Sequence, residues 1–133
     1  MPIDSLRISG SALRAERVRL DTISQNIANV QTTRGADGRA YRRKQVVFQA
    51  VQEGQNGGGV QVAETVEADT PGERVYSPGH PDADAQGFVE MPNVSLAEEM
   101  VDMIAATRAY EANIGAITAT KTLVARAIEI GRS

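Results

Sequence analysis

Cysteine is absent from this chain of 133 residues. That excludes disulfides, thiolate nucleophiles and cysteine-ligated metals. Tryptophan is absent too, and the aromatics amount to three tyrosines and two phenylalanines. The hydrophobic fraction of 41% is inflated by nineteen alanines. Leu, Ile, Val and Phe together number 29, close to the level below which chains tend not to fold. A self-sufficient core is therefore not expected, and stability should depend on partners. No apolar run approaches the roughly 18 residues of a membrane span, so direct membrane insertion is not expected. The opening MPIDSLR lacks the apolar stretch of a cleaved secretory signal; if the protein leaves the cytosol, another route carries it.

Charge is scarce in net terms, at −3, but unevenly placed. Residues 1–44 hold nine basic and four acidic groups, and residues 45–133 hold five and thirteen. The acidic majority argues against nucleic acid as a partner, because phosphate would repel most of the chain. It favours complementary contacts between the two parts, within or between copies.

What is present is helical periodicity. Over residues 96–130, Leu96, Met100, Met103, Thr107, Tyr110, Ile114, Ile117, Lys121, Val124 and Ile128 step by four and three. Eight of the ten are apolar, the spacing of a helix that packs along a seam. Ser95 with Glu98 reads as a capping box at its start, and Gly131 as a C-cap. Ala105, Ala109, Ala112, Ala116 and Ala119 repeat with the same steps on roughly the opposite side. Two apolar faces imply two packing partners, one in the chain and one in a neighbour. Against this, alanine also fills exposed helix positions simply because it is the best helix former.

A second helix is expected over residues 3–30, with Leu6, Leu13, Leu20 and Ile27 spaced by seven. Its Arg7, Arg14, Arg17 and Arg19 either form a solvated face or meet the acidic Glu98, Glu99 and Asp102. Two long seamed helices at the ends predict that the ends pair. Between them lie nine of the twelve glycines and four of the five prolines. A strand is expected over residues 41–51 and another through Val60, Val62 and Val66, flanking a glycine-rich tip at residues 54–59. The expected fold is mainly α with a small β part. Its divisions are an N-terminal helix (1–33), an extended β-hairpin and Pro/Gly-rich arm (34–94), and a C-terminal helix (95–133).

Chemistry has little to work with. His80, Asp82 and Asp84 are close in sequence, but a catalytic metal centre needs three convergent ligands, and His80 is the sole histidine. The calcium-loop spacing is missing, and turn-forming Asp side chains explain the stretch. Neither catalytic nor metal nor cofactor-binding residues are expected.

The stretch SQNIANVQT over residues 24–32, holding Asn26, Ile27, Ala28 and Asn29, resembles the end of the N-terminal helix in flagellar rod, hook and filament axial proteins. YSPGHPDADAQGFVEMPNV over residues 76–94, with Pro78, His80, Pro81, Asp82 and Asp84, narrows the resemblance to proximal-rod members. So does EEMVDMIAATRAYEAN over residues 98–113, with Tyr110 and Asn113. The resemblance covers essentially the whole chain. It implies a non-enzymatic rod subunit that joins copies of itself and other rod proteins in a helical tube. It also implies export through the flagellar type III apparatus without cleavage, and assembly in the periplasm. The rival reading is a free-standing coiled-coil adaptor, which would be a folded oligomer of small fixed size.

Overall fold

The computed structural model describes residues 2–52 and 58–132. Two helices, α1 (Pro2–Ala28) and α2 (Leu96–Arg132), enclose four strands in the chain. These are β1 (Lys44–Val51), β2 (Gly59–Glu67), β3 (Arg74–Tyr76) and β4 (Phe88–Glu90). The glycine-rich tip lies, through Gly57, outside the described residues.

Proline at the start suits α1, because the first turn has no acceptor for its missing N–H. The helix stops two residues short of the expected Val30. Asn29 turns its side-chain Nδ2 onto Gln25 O at 2.8 Å, and its Oδ1 accepts from Thr32 Oγ1 at 3.0 Å. This local competition for backbone partners ends helices.

α2 opens with Ser95 Oγ accepting from the Glu98 N–H at 3.4 Å. The reciprocal half of the expected capping box is not made among the described residues. Gly131 does not cap the helix; it lies inside it, since α2 runs on to Arg132. One glycine costs about 1 kcal/mol relative to alanine, too little to stop a helix of 37 residues.

The strands β1 and β2 form an antiparallel hairpin, with Phe48 opposite Val62 and Ala50 opposite Val60. A bulge next to Val47 and Phe48 inserts one extra residue in β2. Beyond it Val66 faces Gln45, so it lies on the opposite face from Val60 and Val62. The alternation expected through Val60, Val62 and Val66 is thus broken, because one added residue reverses every later side chain. β3 and β4 form a second antiparallel pair in the arm where turn-forming Asp side chains alone are expected.

α1 is the middle layer. It packs against α2 and against both hairpin strands, while among the described residues the backbone of α2 packs against no strand. Asn26, near the end of α1, meets Glu99, near the start of α2, so the helices pair antiparallel. The hairpin is anchored through Ser11, whose Oγ donates to Ile8 O at 2.7 Å and accepts from the Val60 N–H at 3.0 Å. At Gly59, where φ is +126°, a Cβ would lie 2.6 Å from that Oγ, so only glycine fits this approach. Among the described residues the buried apolar set is Ala15, Ile23, Val89 and Ala106. The core is thin, as the composition demands.

Candidate functional site

The most enclosed point of the molecule is polar. Asn26 is 1% exposed and Glu99 is fully buried. Asn26 Oδ1 accepts from Tyr41 OH at 2.7 Å and from the Lys44 N–H at 3.0 Å. Its Nδ2 donates to Lys44 O at 2.9 Å and to Glu99 Oε2 at 3.2 Å. The amide thus makes two donations and two acceptances, its full capacity. It meets the Lys44 backbone much as a neighbouring strand would.

Arg43 completes the junction. Its Nε donates to Glu99 Oε1, and its Nη2 to Asp102 Oδ2 at 3.1 Å. The Arg43 N–H donates to Asn93 Oδ1 at 2.6 Å, while Asn93 Nδ2 holds Ala68 O and Thr70 O. Burial, the largest single influence, opposes the Arg43 charge, but the bond to Glu99 and the charges of Glu99, Asp102 and Glu98 together outweigh it and raise the guanidinium above its ordinary value. Burial, then the Glu99 and Glu67 charges, push the Tyr41 phenol above its ordinary value. The end of α1, both ends of the hairpin and the start of α2 therefore share one network.

For the α1 arginines the alternatives are a solvated face or the acidic start of α2. Among the described residues Arg14, Arg17 and Arg19 make no ion pair with that start, although Arg19 lines one cleft with Glu99 and Asp102. Arg7 pairs with Asp4 at 3.2 Å, and Arg19 approaches Glu16 at 3.8 Å. Antiparallel pairing sets Glu99 beside Asn26, well along α1 from Arg7 and Arg14. The residue that fills the role, Arg43, sits in the connection before β1, where helical periodicity carries no information about it.

The proline-rich segment is a clamp. Asp82 accepts from Thr33 Oγ1 at 2.6 Å and pairs with Arg34 Nε at 2.9 Å, fixing the chain just after α1. His80 Nδ1 accepts from the Asp82 N–H at 3.0 Å. Asp84 caps the β3–β4 turn, accepting from the N–H groups of Phe88 and Gln86 and from Arg74. The Phe88 bond leads in holding its carboxyl below the usual range. Pro78 and Tyr76 pack so closely on Gly87, at φ +87°, that a Cβ would lie 2.9 Å from the Tyr76 ring and 3.1 Å from Pro78. Pro81 is exposed. The carboxylates of Asp82 and Asp84 are both committed to a turn or a tie. No three His, Asp or Glu side chains converge among the described residues.

Along α2 the covered line runs through Glu99, Met103, Ala106, Tyr110, Asn113, Ile117, Thr120 and Val124, in steps of four and three. From the expected seam it keeps Met103, Tyr110, Ile117 and Val124. Leu96, Met100, Ile114 and Ile128 are exposed instead. The helix is turned by its polar anchor: burying Glu99 against Asn26 and Arg43 brings Ala106 and Asn113 inward and rolls Met100 out. On α1, Leu6, Leu13, Leu20 and Ile27 are all half-buried. Of the alanine stripe, Ala109 is half-buried, and Ala105, Ala112, Ala116 and Ala119 are exposed. Asn113 Nδ2 donates to Ala109 O within the helix, and Ala28 is exposed at the end of α1.

This is a helical pair with an ancillary hairpin, a thin core and exposed apolar side chains along α2. The family described as flagella basal body rod protein matches residues 6–36, and that described as flagellar basal body rod FlgEFG protein C-terminal matches residues 85–130. The chain is 46% identical to the flagellar basal-body rod protein FlgC of Yersinia enterocolitica over 94% of both chains. It is 44% identical to that of Salmonella typhimurium, again over 94% of both. To the FlgC of Bacillus subtilis it is 43% identical over 96% of this chain and 97% of that one. The chain belongs to the FlgC family of flagellar basal-body rod proteins, structural subunits of the rod.

Proposed function

We propose that the chain works as a subunit of the periplasmic proximal rod, stacked with copies of itself and other rod proteins into a helical tube that transmits torque. It reaches the periplasm through the type III export apparatus, keeping its N-terminus uncleaved, and performs no catalysis. No helix is long and apolar enough to cross a membrane. The observation that carries the reading is the uncovered side of α2. Val101 is 65% exposed, Met100 54% and Leu123 67%, a surface that water disfavours and a neighbour would cover. The half-buried line through Met103, Tyr110, Ile117 and Val124 holds the intrachain partner. The alanine positions Ala105, Ala112, Ala116 and Ala119, with Ala109 at their border, form the close-approach face for the next subunit.

Complementation tests this. A strain lacking its own proximal-rod subunit of this type should regain basal bodies and swimming when it carries this chain. The chain should be found in the isolated basal bodies with Met1 or Pro2 as its first residue. A stable small oligomer that stays in the cytosol and never enters basal bodies would overturn the reading.

A further inference from the structure

A groove of about 660 Å³ runs between α1 and the hairpin. Its floor is apolar, with Ala15 from α1 and Val51, Val60 and Val62 from the strands. Its α1 wall carries Arg7, Arg14 and the exposed Val18, and among the described residues no acidic side chain lines it. Arg7 is paired with Asp4. Arg14 is exposed and has no ion-pair partner among the described residues. An occupant must bring apolar side chains together with negative charge.

The same chain exposes two apolar patches on α2. One is the shoulder at its start, Leu96, Met100, Val101 and Ile104, beside the exposed Glu98. The other is the far end, Leu123, Ile128 and Ile130, but there Arg126 and Arg132 outnumber Glu129. Charge complementarity selects the shoulder. Resting on the rod-subunit reading above, we infer that the α2 shoulder of one copy docks into the α1–hairpin groove of the next, with Glu98 facing Arg14. The two surfaces differ, so the contact is heterologous rather than that of a two-fold dimer, and an axial displacement between neighbours leaves it open rather than closed into a ring. Antiparallel pairing sets the shoulder level with the end of α1, about twelve residues from Arg14. Parallel neighbours are therefore displaced by roughly 20 Å along the helix axis.

The absence of cysteine makes the test clean. A chain carrying Arg14→Cys and Glu98→Cys, mildly oxidised in isolated basal bodies, should give a disulfide ladder that neither single variant gives. A ladder from Arg14→Cys with Ile128→Cys, and none from the first pair, would overturn the assignment in favour of the far end. No ladder from either pair, with the chain present in the basal bodies, would mean that the groove faces a different component. Absence of the unmodified chain from basal bodies would instead sink the rod reading itself. Charge reversal gives an independent measure, for use if the cysteine chains do not assemble. Arg14→Glu should lower basal-body yield about tenfold, and adding Glu98→Arg should restore it. Equal yields from the parent, the single and the double variant would refute the contact.

Discussion

At the residue scale, Asn26 matters most. A buried amide with all four hydrogen bonds made cannot be replaced without orphaning several groups at once. Asn26→Ala strips partners from the Lys44 backbone, Tyr41 and Glu99, so it should cost about 3 kcal/mol of unfolding free energy by denaturant titration. Asn26→Asp should be no milder, because it sets a second carboxylate against Glu99 and loses the donor. A variant of either kind as stable as the parent would show that the network contributes nothing. Tyr41 adds a pH signature. Its phenol is held above the ordinary value of 10.0, so the folded state binds that proton more tightly than the unfolded one. The stabilisation is fully present below pH 10 and is lost as pH rises through the folded value. Melting temperature measured from pH 9 upward should therefore fall more steeply in the parent than in Tyr41→Phe. Parallel profiles would remove the phenol from the account.

At the element scale, the helices and the first hairpin were legible because they follow periods of 3.6 and 2. The capping serine and the alternation of Val60 and Val62 before the bulge marked their places. The rotation of α2 was not legible. Apolar periodicity gave the line through Leu96 and Met100, and the line through Glu99 and Ala106 was selected by Glu99, Asn26 and Arg43, a polar contact across 73 positions of sequence that no window of residues contains. The three-residue strands β3 and β4 were hidden for a related reason. Their pairing rests on Asp84, Gly87 and the stacked Tyr76, Phe88 and Arg74, not on a hydrophobic pattern. The alanine stripe is where this scale yields a prediction. Ala112 is exposed, so Ala112→Leu should leave the melting temperature of the isolated chain nearly unchanged. If that face is where a neighbour approaches closely, the added bulk costs about 1–3 kcal/mol at every copy. Basal-body yield should then collapse while the free protein stays intact. Normal yield would return these alanines to the status of plain helix formers.

At the scale of the whole molecule, the two helices do not match. α1 has 27 residues and α2 has 37, a difference of about 15 Å in length. The covered line on α2 ends at Val124, and residues 125–132 are exposed on every side. Two turns of helix are too short to persist in water through their own propensity, and Ile128 and Ile130 gain nothing from facing solvent. Covering Leu123, Ile128 and Ile130 would contribute about 5 kcal/mol per copy before the cost of association. That surface is large enough to help drive assembly and irrelevant to the fold of one chain. Removing residues 125–133 should therefore shift the melting temperature of the isolated protein by no more than a few degrees. The same truncation should abolish incorporation into basal bodies and swimming. If the truncated chain both folds and assembles, the end of α2 is not an interface, and the covering partner must be sought along the Met100 and Val101 side instead. If it fails to fold, the end of α2 supports the intrachain pair in a way its exposure does not indicate, and the division between folding surface and assembly surface would have to be redrawn.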